Sequence, residues 1–133
     1  MTVSHVQAGL ESWHKILENN DPSGLDTLLE DHVTFWSPVV HTPQQGKDIT
    51  KMYLMAAFLT LANDSFEYVN EFKSETGAVL EFRTEIDGIV INGIDMMTFN
   101  QDGQITEFKV MVRPLKAVNL LHQKMMHMLE TMK

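Results

Sequence analysis

Apolar residues recur at Val6, Leu10, Trp13 and Leu17, with Ile16 beside them. Spacings of four, three and four predict an amphipathic helix over residues 4–19, and Ser4 stands where its N-cap belongs. Asn19-Asn20-Asp21-Pro22 interrupts that pattern. Asp21 as a cap and Pro22 at the first helical position start a short second helix carrying Leu25, Leu28 and Leu29. The chain then turns β-branched and aromatic at Val33-Thr34-Phe35-Trp36, a first strand ended by Ser37-Pro38. After a loop over 37–46, helical spacing returns over 47–62. Ile49, Met52, Tyr53, Ala56 and Leu59 form one side and Leu54, Phe58 and Leu61 a second stripe, so this helix is expected to be covered on more than one side.

Beyond Asn63-Asp64 the period changes from 3.6 to 2. Phe66, Tyr68, Asn70 and Phe72 alternate with Glu67, Val69, Glu71 and Lys73, and Thr76-Gly77 turns the chain into a strand over 78–86. Asp87-Gly88 marks another turn. The longest regular stretch follows, residues 89–112, two strands joined at Asn100-Gln101-Asp102-Gly103, where Asp-Gly supplies the positive φ of a tight hairpin. Pro114 closes the last strand. A final helix over 115–132 carries a narrow seam of Val118, Leu121, Met125, Met128 and Met132. That seam suits docking on its own domain and, being rich in Met, equally a contact with a partner subunit or across a pocket mouth. Helices first, then a meander of antiparallel strands, then one helix: this order predicts a single α+β domain over residues 1–133, with helices on one face of a curved sheet.

Composition narrows the functional classes. The formal net charge of −8, with ten Lys+Arg among 133 residues, argues against nucleic acid or an anionic membrane as the partner. The absence of cysteine removes thiolate nucleophiles and sulfur-ligated metals. No secretory pattern opens the chain and no apolar run reaches the ~18 residues of a membrane span, so a cytoplasmic location is expected.

One residue stands out within the long hairpin. Asp95 lies among Ile91, Ile94, Met96 and Met97, and it shares strand parity with Ile91, Met97 and Phe99, which marks its face as inward. Desolvation there would raise its pKa, making it an acid–base or hydrogen-bonding group. The six histidines show no metal spacing. His122 and His127, five apart on a helix, turn to different faces, and His5, His14 and His32 sit in polar company. His41, in the loop after the first strand near Ser37, is either a general base or a solvated loop residue. No phosphate loop or Ser-His-Asp constellation is present, and neither metal nor organic cofactor is expected.

The strings LEDHVTFWSPVVHTPQQGKDITKMY and GIDMMTFNQDGQITEF, in this order among these elements, resemble the nuclear transport factor 2-like superfamily in its SnoaL-like and ketosteroid isomerase branches. The resemblance covers residues from about His5 to Pro114. It implies a cone of three N-terminal helices against a strongly curved antiparallel sheet, with an additional C-terminal helix. It also implies an apolar cavity open at one end and dimers formed through the sheet. In ketosteroid isomerases a strand-end Asp is the general base, a helix Tyr lines the oxyanion hole, and a protonated Asp on a later strand completes it. The matching positions here are Ser37, Trp13 and Asp95; only Asp95 keeps its type. A serine hydroxyl takes no carbon-bound proton at neutral pH without a base of its own. Limonene-epoxide hydrolases use Arg-x-Asp on one strand and an Asp on the last. Arg83-Thr84-Glu85 resembles the first half, whereas Val110 takes the last-strand position. If Leu80, Phe82 and Ile86 face the core, Arg83 and Glu85 face away, so they remain possible rather than assigned lining residues.

In such a cone, core side chains double as pocket walls. The expected pocket comprises Trp13, Trp36, Ser37, Tyr53, Met97, Phe99, Val110 and Val112, with Asp95 and His41 as candidate catalytic groups. The resulting expectation is a pocket for a small apolar, oxygen-bearing molecule, used by an isomerase, cyclase or hydrolase working through Asp95. The alternatives are a non-catalytic binder of hydrophobic ligands and a protein-interaction module on the same fold. A homodimer through the sheet is expected in each case.

Overall fold

The computed structural model of the chain describes residues 4–131. Helix α1 (His5–Asn19) begins as its sequence directs, the backbone N–H of Gln7 donating to Ser4 Oγ at 3.1 Å. It ends at Asn20 in the left-handed conformation, φ 49°. A single turn at Pro22–Gly24, capped by Asp21, leads into α2 (Leu25–Leu28) and β1 (Leu29–Trp36). The short β2 (Gln44–Gln45) precedes α3 (Lys47–Leu61). Then come β3 (Glu67–Lys73), β4 (Gly77–Ile86), β5 (Ile89–Phe99), β6 (Ile105–Arg113) and α4 (Leu115–Thr131). The α+β class and the helix-packed curved sheet follow from this order. Among the described residues no helix is long and apolar enough to cross a membrane.

All six strands form one sheet in the order β2-β1-β6-β5-β4-β3. Strands β3 to β6 are the expected meander. The additional pairing is parallel: β1 runs beside β6, with Phe35 opposite Phe108 and Trp36 opposite Lys109, so the sheet is mixed rather than wholly antiparallel. Alternation reports which face a residue takes but not which strand lies next to it, so this neighbour is a product of tertiary packing. The β5–β6 turn is held by Asn100, whose Oδ1 accepts from the backbone N–H of Asp102 and of Gln104, each at 2.9 Å. Gly103 supplies the φ of 76°.

One strand departs from its sequence pattern. Tyr68 pairs with Phe82 but Asn70 pairs with Glu81, so an extra residue is accommodated at Val69. Such a bulge reverses parity along the rest of the strand. Tyr68 points inward with Phe82, whereas Asn70 reaches the outer side, donating to Glu81 Oε1 at 2.7 Å, and Phe72 is exposed. Glu71, on the strict alternation an outward residue, instead meets His14 of α1 at 2.9 Å.

The core divides into two clusters. One joins α1, α2 and β1 to the β5–β6 end through Leu10, Trp13, Phe35, Met97, Phe99 and Phe108. The other joins α3 and α4 to the sheet through Ala56, Leu61, Phe82, Ile91, Leu121 and Met125. Helix α4 therefore docks on its own domain, tethered further by Lys124 to Asp87 at 3.1 Å. Met132 of its seam lies outside the described residues.

Candidate functional site

A cavity lies where the two clusters meet, walled by Trp13, Leu54, Phe58 and Phe108 on one side and by Leu61, Phe82, Leu121 and Met125 on the other. Its free space is about 60 Å³. That holds about four waters at ~15 Å³ each and is far below the ~300–1,000 Å³ of pockets enclosing drug-sized ligands. A larger guest requires the wall to give, and Met125 on α4 is the most deformable side chain in it.

The polar groups reaching this space are few: Asp95, Tyr68, Ser37 and the Trp13 indole. The pleat of β5 turns Ile91, Gly93, Asp95, Met97 and Phe99 inward, which is what buries Asp95 to 7 % exposure. The bulge at Val69 leaves Tyr68 pointing the same way from β3. Its hydroxyl donates to Asp95 Oδ2 at 2.6 Å and accepts from Trp13 Nε1 at 3.0 Å. The Tyr68 hydroxyl is thus engaged on both sides, while Asp95 Oδ1 has no hydrogen-bond partner among the described residues. Ser37 accepts from the backbone N–H of Val39 at 3.1 Å, and its own proton is free to point elsewhere.

Electrostatics follow from that isolation. Burial pushes the Asp95 carboxyl from its ordinary 3.8 up to about 7, and the Tyr68 hydrogen bond only partly opposes the rise. The Tyr68 hydroxyl is itself held well above its ordinary range, first by burial and then by the Asp95 charge and the hydrogen bond between them. Near neutral pH, Asp95 is therefore divided between a proton donor and a proton acceptor. Among the residues lining the cavity, no cationic side chain compensates it.

Gly93 contributes to the wall through what it lacks. A Cβ there would lie 2.6 Å from both Phe82 Cζ and the carbonyl oxygen of Met111, so the Phe82 ring occupies space that only glycine leaves open.

The residues expected from sequence fall into three groups. Trp13, Ser37, Val110 and Asp95 line the cavity together. Tyr53, Met97, Phe99 and Val112 face the interior but not the cavity: Tyr53 packs on Phe35 at 5.3 Å, Met97 and Phe99 lie deeper in the first cluster, and Val112 supports the second. Trp36, His41, Arg83 and Glu85 lie away from it. Trp36 takes the parity opposite to Phe35 and sits on the outer side of the sheet, with Lys109 Nζ 5.1 Å above its ring. His41 is exposed beside a shallow groove formed by the loop after β1 and by β6. Arg83 and Glu85 are exposed on the face away from Phe82 and Thr84, as their parity requires. Among the described residues, no three histidine or carboxylate side chains converge to hold a metal.

Sequence reasoning missed Tyr68 as a functional residue. Its alternation with Phe66 marked it as core, and only the spatial proximity of β3, β5 and α1 reveals its hydroxyl as the partner of Asp95. Phe58, Phe66, Phe82 and Phe108 likewise gain a role as walls that their apolar pattern did not distinguish from ordinary core.

Comparison with known proteins agrees with this architecture. The model of the SnoaL-like domain matches residues 10–108. A crystal structure of a steroid delta-isomerase from Pseudomonas aeruginosa superposes with a TM-score of 0.90 at 34% identity, covering 97% of this chain and 94% of that one. An uncharacterized protein with a cystatin-like fold from Silicibacter pomeroyi gives 0.81 at 24% identity, over 90% and 83% of the two chains. A putative SnoaL-like polyketide cyclase from Jannaschia gives 0.69 at 11% identity, over 91% and 96%; these last two likenesses concern the fold. No curated protein matches the sequence.

Proposed function

The chain belongs to the SnoaL-like domain family, and from that premise we propose that its cavity binds a small apolar molecule carrying an oxygen, which Asp95 meets directly. The observation that carries this reading is a single buried carboxyl with one oxygen unpartnered, facing a cavity of otherwise apolar walls. A neutral Asp95 donates a hydrogen bond to a carbonyl-type oxygen. An ionised one takes a proton from the ligand, and a pKa of about 7 keeps both forms populated at neutral pH. The solved relative described as a steroid delta-isomerase supports isomerase chemistry, in which a proton leaves one carbon and returns to another. Because the cavity lining holds no other carboxylate or histidine, Asp95 would have to remove that proton and return it. The same atoms also suit a hydrophobic-ligand binder without turnover: the Trp13 N–H is already committed to Tyr68, and Ser37 is no base.

A screen of small cyclic ketones, enones and lactones by thermal shift, on wild type and Asp95→Asn, tests the proposal. A ligand that raises Tm in the wild type and less in the variant supports it. If no compound distinguishes the two proteins, Asp95 does not meet the ligand. Turnover of a ligand identified in this way separates the enzyme from the binder.

The partner and compartment are part of the same reading. We infer that two copies pair through the outer sheet face, where Met111 is 48 % exposed, Val90 37 % and Phe72 63 %. A small metabolite ligand also fits a protein working in the cytoplasm.

A further inference from the structure

The cavity combines two features that a neutral oxygen ligand does not use together. Its carboxyl has no cationic neighbour among the described residues, and aromatic rings stand among its apolar walls: Trp13, Phe58, Phe66, Tyr68, Phe82 and Phe108 all border the free space. Trp13 lies 5.6 Å from Phe58 and 5.1 Å from Phe108, and Phe66 lies 5.2 Å from Tyr68 and 5.5 Å from Phe82, so the rings form two clusters of mutually packed aromatics rather than scattered contacts. Aromatic faces carry negative quadrupole density and attract cations, most strongly where water is excluded. A carboxylate set among such faces is the pairing that recognises an ammonium group on an apolar body.

We propose that the cavity also accepts small hydrophobic amines as their ammonium ions, with ionised Asp95 as counterion at Oδ1 and the surrounding rings as cation–π walls. This extends the reading of the cavity as a ligand site and rests on it. The net charge of −8 favours the approach of a cation over that of an anion. The Tyr68 hydroxyl, donating to Oδ2, keeps one half of the carboxylate satisfied while the other meets the ligand. Burying an ion pair is costly when polar atoms stay unpaired. Here the carboxylate has the Tyr68 donor on one oxygen and the ammonium on the other.

The titration that governs this binding is confined to few groups. Among the described residues, Tyr68 from β3 is the titratable side chain hydrogen-bonded to Asp95. The strand neighbours Leu80 and Val110, Trp13 from α1, and Leu121 and Met125 from α4 carry no titratable group. His14 and Glu71 lie near the Tyr68 ring, with the His14 and Tyr68 rings 5.8 Å apart, and pair with each other.

The experiment compares cyclopentylamine with cyclopentanone, two ligands of nearly equal size, by calorimetry on the full chain at about pH 6 and about pH 8. With Asp95 titrating at about 7, the ionised fraction rises about tenfold between those values, and amine affinity should rise by about that factor. At the lower pH, amine binding should release close to one proton, seen as a dependence of the heat on buffer ionisation enthalpy. Asp95→Asn should lose the amine and only weaken the ketone, because the amide N–H still offers that oxygen a donor but supplies no counter-charge. Amine affinity that is flat with pH and releases no proton overturns the proposal, as does unchanged amine binding by the Asp95→Asn variant. Ketone binding without amine binding overturns this inference and leaves the proposed function standing; binding of neither overturns both. The proton-release measurement uses the wild type alone, so the test survives a variant that fails to fold.

Discussion

The Tyr68 hydroxyl donates to Asp95 Oδ2 at 2.6 Å from a strand two places away in the sheet, and Trp13 closes the relay from α1 at 3.0 Å. Three elements distant in sequence thereby fix one carboxyl at the wall of an apolar cavity. Phenylalanine at position 68 would keep the ring but remove the donor. Because that hydrogen bond lowers the Asp95 pKa, Tyr68→Phe should move it further upward and leave the Trp13 N–H without an acceptor. A loss of about 1–2 kcal/mol of stability is expected. Carboxyl titration and chemical denaturation check the two halves; an unshifted titration would detach Tyr68 from Asp95.

Asp95→Asn should stabilise the fold, and more so at high pH. The folded pKa is raised from 3.8 to about 7, so the protonated form is favoured on folding. That advantage is complete below pH 3.8 and is lost as pH rises through about 7, beyond which the wild type bears the full cost of a buried charge, on the order of 4 kcal/mol. Asn removes the cost while still accepting from Tyr68. Denaturation midpoints at about pH 5 and about pH 8 should therefore differ between the two proteins mostly at the higher pH. Equal midpoints at both would place the carboxyl in water.

Wild-type protein should isomerise a β,γ-unsaturated ketosteroid no faster than a trace rate. Ser37 offers no carboxylate base, and the free space of about 60 Å³ is small for a steroid. Ser37→Asp should raise any trace rate, since residue 37 borders the same cavity as Asp95. A wild-type rate typical of a dedicated isomerase, measured by absorbance of the conjugated product, would show that the wall opens to a steroid and that Asp95 alone serves as its base.

Gly93→Ala should cost about 1–3 kcal/mol, because the added methyl meets Phe82 and the Met111 carbonyl at 2.6 Å. Displacing Phe82 should also weaken ligand binding in the cavity. An unchanged denaturation midpoint would show that the ring has room to move.

The outer sheet face leads to an association test. If two copies pair through it, sedimentation at tens of micromolar should give about twice the 15.2 kDa chain mass, and Met111→Lys should shift the population toward monomer. A single 15.2 kDa species in the wild type removes the dimer.

Much of the fold was legible because alternation and helical spacing are local. Asp95 could be placed inward from the parity of Ile91, Met97 and Phe99 alone, and Arg83 outward from that of Phe82. What lay beyond reach was relational. The parallel pairing of β1 with β6 depends on packing across most of the chain, and the bulge at Val69 breaks a pattern that reads as regular. Trp36 and Phe35 illustrate the limit within the candidate site: both are aromatic neighbours on one strand, yet only Phe35 reaches the cavity, because adjacent residues face opposite sides of the sheet. Tyr68 needed three-dimensional contact to be noticed, since a tyrosine in a strand is ordinarily core.

The most direct measurement is the carboxyl carbon titration of Asp95 by NMR, assigned by the resonance that disappears in Asp95→Asn. Burial without a counter-charge predicts a midpoint of about 7 in the free protein. A midpoint near the ordinary 3.8 would mean a solvated or compensated carboxylate, and would contradict the assignment of Asp95 as the group around which this cavity works.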